Sequence, residues 1–211
     1  MRQVEQAAQA LARLLKRALG GDVEGALTLL DQAYQPLLGV GAKVVSTLTE
    51  DQLLGLLTSG STPDLRRVAA VLEVLAAEAD LRGRAGRPAE AAARWRRALV
   101  LAGFLAARAD DALDPGLAAT LAGRAAGLPL TVAQRLALVR VLEALGRYAD
   151  AEDALFEAVE AAPDDDPAPV AEGIAFYQRL LAVEADRLVA GGLPPDEVRA
   201  SLAELLRRPA G

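Results

Sequence analysis

Six arginines, Arg82, Arg84, Arg87, Arg94, Arg96 and Arg97, fall within sixteen residues that hold a single acid, Glu90. Guanidinium forks around a helix start suit carboxylate or phosphate, so Arg82, Arg84, Arg87, Arg94 and Arg97 form a candidate anion or partner-binding set. The plainer reading is a solvated turn, or pairing with acids elsewhere in the chain. Trp95 lies within this stretch and is expected in the core rather than as a stacking platform.

An acidic counterpart follows Gly146. Asp150, Asp153, Glu157 and Glu160 recur at steps of three and four, which places their carboxylates along one helical face. They form a candidate docking face for a basic partner, with Asp164, Asp165 and Asp166 extending the charge. The Asp164 run lacks the glycine and distal glutamate of a calcium loop, so solvation rather than metal binding is expected, and no cofactor is implied.

Catalysis has little to work with. The sequence has no histidine and no cysteine, which removes the commonest general base, the thiol nucleophile and the commonest metal ligands. Ser46, Ser59, Ser61 and Ser201 stand in no G-x-S-x-G or S-x-x-K frame, and Lys43 precedes Ser46 by three residues, the reverse of the usual order. The stretch from Gly39 to Lys43 lacks the spacing of a phosphate-binding loop. A non-enzyme is the expectation.

The elements that position these residues are helical. Hydrophobic residues make up 53% of the chain but aromatic ones only 3%, so Ala, Leu and Val must supply the core, as in closely packed helices. A net charge of −6 opposes general nucleic-acid binding. The amphipathic opening with Glu5 does not read as a secretory signal, and the apolar stretch from Ala98 to Ala107 is far short of the roughly 20 residues that span a bilayer. A cytoplasmic protein without a membrane partner is expected.

Cap and breaker residues divide the chain into about ten helices. The expected segments are 3–18, 23–38 with Pro36 bending its end, a short helix to 57 opened by a Thr49/Gln52 capping box, and one to 84 opened by Thr62, Pro63 and Asp64. Then come 88–109, a helix from Asp114-Pro115 ending before Gly127, one from Thr131/Gln134 to 145, one from Tyr148 to Pro163, and finally 170–190 and 195–207. Residues 39–48 read as a loop and 163–169 as a linker.

Three units share one spacing: Gly21, Val23, Ala26, Leu30, Ala33; Gly86, Pro88, Ala91, Trp95, Ala98; and Gly146, Tyr148, Ala151, Leu155, Ala158. Residues 135–163 resemble a tetratricopeptide repeat, a helix-turn-helix module of about 34 residues. Leu138, Gly146, Tyr148, Ala151, Leu155, Ala158 and Pro163 match its pattern, whereas Arg135 stands where a large aromatic is usual and Val139 where a glycine is. The turn glycines are 65 and 60 residues apart, so extra helices separate the hairpins. The segments RQVEQAAQALARLL, DQLLGLLTSG and GRYADAEDALFEA together resemble an uncharacterised bacterial family of helical repeat-like proteins, a resemblance that implies no catalytic residues.

The expected fold is therefore all-α, an irregular tetratricopeptide-like array of hairpins over residues 1–211 as one domain. A division into 1–163 and C-terminal capping helices at 170–211 is the alternative. The expected function is binding of an unidentified protein partner, or self-association, through a groove between hairpins. A regulatory module that binds nucleic acid or another polyanion through the arginine segment is the second expectation.

Overall fold

A glycine with positive φ reverses the chain at almost no steric cost, and it does so at each turn of the repeated pattern: Gly21 at 89°, Gly86 at 74° and Gly146 at 70°. The computed structural model describes residues 2–59, 62–108, 113–163 and 165–207. Its described residues are all-α, with ten helices of seven residues or more and a single two-residue strand pair. By contact the chain forms two compact units, residues 1–117 and 118–211.

In the first unit α1 (Arg2–Leu19) packs against α2 (Val23–Leu27) and α3 (Leu30–Leu38). The continuous helix expected over 23–38 is broken. Thr28 Oγ1 donates to the Gly25 carbonyl at 2.7 Å and the Leu29 amide reaches back only to Ala26, so a tight turn replaces the helical ladder. Pro36 sits inside α3, and Gly39 ends that helix at φ 71°.

The expected loop over 39–48 contains a one-turn helix, α4 (Ala42–Val45), whose first amide donates to Asp31 at 2.6 Å. The Thr49/Gln52 capping box opens α5 (Glu50–Leu56) as read from sequence. Thr62 and Pro63 do not begin a helix. They pair antiparallel with Thr58 and Ser59 as β2 and β1, and the cap passes to Asp64, whose carboxylate accepts from the Arg67 amide. The long pair α6 (Leu65–Arg84) and α7 (Pro88–Ala106) then packs along its length, burying Val71, Leu75, Trp95 and Leu99. The expected end of α7 at Ala109 lies outside the described residues.

The boundary between the units falls in α8 (Pro115–Ala125), which Asp114 caps by accepting from the Leu117 amide. In the second unit α9 (Val132–Ala144) opens on the Thr131/Gln134 capping box and packs against α10 (Tyr148–Ala161). Ala151 and Ala158 of α10 are fully buried, as the close approach of the two backbones requires. Gly191 shows the same need, since a Cβ there would overlap the Tyr148 ring and the Gly146 carbonyl.

The helix expected over 170–190 is two helices, α11 (Ala168–Leu180) and α12 (Ala185–Ala190), followed by α13 (Pro195–Arg207). Amides 182 and 183 bond only three residues back and Glu184 is extended, a turn that brings Leu188 and Leu193 into the core while Leu181 and Val189 stay exposed. Their partners there are Tyr148, Leu155, Phe176, Tyr177 and Leu180. The linker expected over 163–169 is correspondingly shorter, because Ala168 already begins α11 and Pro169 occupies its first turn.

Candidate functional site

Two polar assemblies carry the residues singled out by sequence, one in each unit. In the first, the spacing of Val71, Val74, Leu75 and Glu78 along α6 puts a carboxylate on the apolar face, and Glu78 is fully buried. A buried carboxylate needs partners. Tyr34 on α3 donates its hydroxyl to Glu78 at 2.6 Å, and Arg82, one turn on, donates from Nε at 2.6 Å. Arg94 on α7 lies 2.8 Å from the same carboxylate as an ion pair, although its Nε has no hydrogen-bond geometry to any acceptor. Arg82 also pairs with Glu90.

The electrostatics of this seam favour a fixed lattice over reactive chemistry. Burial, and then the Glu78 charge, push the Tyr34 phenol well above its ordinary range, so it remains a neutral donor. Desolvation lowers Arg97, and the nearby Arg94 charge lowers it further, yet Arg97 is held by three backbone carbonyls: Val45 at 2.6 Å, Ser46 at 3.1 Å and Leu48 at 2.5 Å. Arg84 donates to the Ala18 carbonyl at the end of α1 at 2.8 Å, and Arg87 donates to both oxygens of Glu24 at 2.9 and 3.0 Å. Arg96 is half-buried.

Thus Arg82, Arg84, Arg87, Arg94 and Arg97 each have partners within their own unit, and Glu90 is not their sole counter-charge. Sequence order conceals Glu78 and Glu24. The available signal for Glu78 was an acid in register with the apolar stripe of α6. Trp95 is 6% exposed, in the core as expected.

The second assembly is a groove of about 400 Å³ between α8, α9 and α10. Small residues open it: Ala122, Ala125 and Ala126 from α8 and its end, facing Leu138, Leu142 and Ala154. Arg135 lines it and pairs with Glu157. The Arg135 Nε is buried without a hydrogen-bond partner. Arg147 Nε donates to Asp150 at 2.7 Å. Asp153 also lines the groove and, among the described residues, has no hydrogen bond or ion pair. Glu160 is exposed on the same helix, and Asp164 lies outside the described residues.

A match to one family model runs over residues 1–209, nearly the whole chain. The chain belongs to a family of unknown function, DUF6483. No curated protein and no solved structure matches. In this member of DUF6483 the two serines whose side chains are described are both hydrogen-bonded within the chain. Ser46 donates to the Lys43 carbonyl at 2.6 Å, and Ser201 joins Tyr177 and Glu152 in a hydrogen-bonded group. Ser61 lies outside the described residues, as does the side chain of Ser59. Among the described residues no helix is long and apolar enough to cross a membrane, and no group of three carboxylates is placed to hold a metal ion.

Proposed function

We propose that this chain is a non-enzymatic, cytoplasmic helical module of tetratricopeptide-like construction that binds a protein partner through the groove between α8, α9 and α10. The observation that carries this reading is the combination in one groove of an Ala/Leu floor with the Asp153 carboxylate, which has no intramolecular partner among the described residues. The occupant that fits is a segment of another protein with an apolar anchor beside a lysine or arginine. The anchor fills the space left by the small residues, and its basic neighbour meets Asp153.

The pairs Arg135 with Glu157 and Arg147 with Asp150 leave Asp153 as the lining's excess charge, so a basic partner is favoured over an acidic one. The spacing of Gly146, Tyr148, Ala151, Leu155 and Ala158 supports the tetratricopeptide-like description of this hairpin. The polyanion alternative has less support, because the guanidinia it needs are engaged by Glu78, Glu90, Glu24 and backbone carbonyls.

A photo-crosslinking side chain at Leu128, in cells of the native organism, tests this proposal. The expected result is one discrete protein adduct that disappears when Ala126→Trp fills the groove and weakens when Asp153→Lys reverses its charge. Crosslinks no different from those of the same group placed at Glu204, or an adduct insensitive to Ala126→Trp, would refute it.

A further inference from the structure

α1 carries two apolar stripes. Ala7, Ala10, Leu14 and Ala18 form the one that is buried in the first unit. Steps of three and four place Val4, Ala8, Leu11, Leu15 and Leu19 on an adjoining face. Val4 and Leu11 are half-buried there, whereas Leu15 is 44% and Leu19 84% exposed. Two bare leucines one turn apart, continuous with half-buried apolar neighbours, make a patch rather than the scattered apolar residues normal on a surface.

The N-terminal half of the same face holds a hole. Val4, Ala8 and Leu11 border a space of about 250 Å³ that Ala69 and Ala70 of α6 leave open, with the exposed Arg66 and Glu73 also lining it. One half of α1 thus presents two leucine knobs and the other half an opening edged by small residues. Glu5 and Lys16 flank the stripe on the side away from α6. Along the helix axis they are about 16 Å apart, too far to pair with each other. Among the described residues neither side chain has a hydrogen bond or an ion pair.

We infer that this face is the interface of a two-fold homodimer, in which α1 packs antiparallel on α1 of a second copy. The register that sets Leu11 opposite Ala12 also sets Leu15 opposite Ala8 and Leu19 opposite Val4. The knobs of each copy then enter the hole of the other, as a self-complementary surface requires. The same two-fold operation brings the Glu5 and Lys16 flanks together. Lys16 of one copy comes within about 3 Å along the axis of Glu5 of the other, which gives two ion pairs that a single copy cannot make. An anionic lipid surface is a poorer occupant, because this flank carries one acid for its one base and the chain a net charge of −6. The interface lies wholly on the first unit and is independent of the groove between α8, α9 and α10; either can fail without the other.

Sedimentation equilibrium of the full chain from micromolar to submillimolar concentration tests the proposal. One helix pair buries less than a standard interface, so a dimer that dissociates on dilution is expected. Leu15→Asp and Leu19→Asp replace exposed side chains and are expected to give a monomer with an unchanged circular dichroism spectrum. Lys16→Glu is expected to weaken the dimer about tenfold, and Glu5→Lys combined with Lys16→Glu to restore it. The register has its own readout, because the sequence has no cysteine. Ala12→Cys, beside the two-fold axis, is expected to oxidise to a disulfide-linked dimer, whereas Arg13→Cys, turned away from the stripe, is not. The proposal is overturned by a monomer at every concentration, as a face kept for a different protein would give. A dimer indifferent to Leu15→Asp and Leu19→Asp overturns it as well, as does a charge swap that restores nothing or equal crosslinking through the two cysteines.

Discussion

Tyr34 donates its hydroxyl to Glu78 across 2.6 Å where neither residue is exposed to solvent. The bond joins α3 to α6, and Arg94 brings α7 to the same carboxylate. Removing Glu78 leaves two guanidinia without their buried counter-charge, whereas removing the Tyr34 hydroxyl leaves Glu78 still paired with them. Glu78→Ala is therefore expected to cost about 3–5 kcal/mol and Tyr34→Phe about 1–2 kcal/mol in denaturant unfolding. Equal losses for the two variants would show that the arginines find other partners.

Arg97 fixes the segment before α5 by donating to the carbonyls of Val45, Ser46 and Leu48. A lysine has one ammonium in place of a planar fork and cannot serve all three in the same geometry. Arg97→Lys is expected to lower stability by about 1–2 kcal/mol and to quicken amide exchange at residues 45–48. Unchanged exchange there, with unchanged stability, would mean that the carbonyls are equally well served by water.

Two glycines of the second unit should respond in opposite directions to alanine. Gly123 lies within α8 with open space around its Cβ position, while a methyl at Gly191 meets the Tyr148 ring and the Gly146 carbonyl. Gly123→Ala is expected to raise stability by about 0.5–1 kcal/mol through helix propensity, and Gly191→Ala to lower it by about 1–3 kcal/mol through overlap. Calorimetry of the two variants checks the contrast; a neutral Gly191→Ala would contradict the docking of α12 on the α9–α10 turn.

Ala151 is fully buried on α10, at the spacing that recurs after each turn glycine. Leucine in its place must push apart α10 and its neighbours, at an expected cost of about 1–3 kcal/mol. A melting temperature unchanged by Ala151→Leu would mean that the space can be relieved by local repacking.

These outcomes separate what local chemistry specifies from what only the folded chain reveals. The turn glycines, the two Thr/Gln capping boxes and the burial of Ala151 and Trp95 follow from spacing and were legible, because each depends on residues within one or two helical turns. The break at Thr28 was not legible: a threonine hydroxyl competing for a carbonyl has the same sequence as one that stays in a helix. Nor was the turn at residues 181–184, which has no glycine or proline and is favoured by the burial of Leu188 and Leu193. The arginine segment looked unopposed because its acids are remote in sequence, Glu24 lying 63 residues before Arg87.

The last expectation concerns Glu152, to which Tyr177 donates at 2.5 Å and Ser201 also bonds, linking α10 to α11 and α13. Desolvation raises the carboxyl above its ordinary value of 4.5, the bonds from Tyr177 and Ser201 oppose that shift, and Glu197 and Asp153 add to it. A carboxyl whose folded pKa is raised binds its proton more tightly in the native state. Its contribution to stability is thus fullest below the unfolded pKa and is lost as pH rises through the folded one. Between about pH 4 and the raised folded value, the wild type should lose stability that Glu152→Gln does not lose. The change is expected to stay within about 1 kcal/mol, since the half-buried group is screened by solvent. Unfolding curves across that range test this; parallel pH profiles for the two proteins would place the Glu152 titration at its ordinary value, with no penalty from burial.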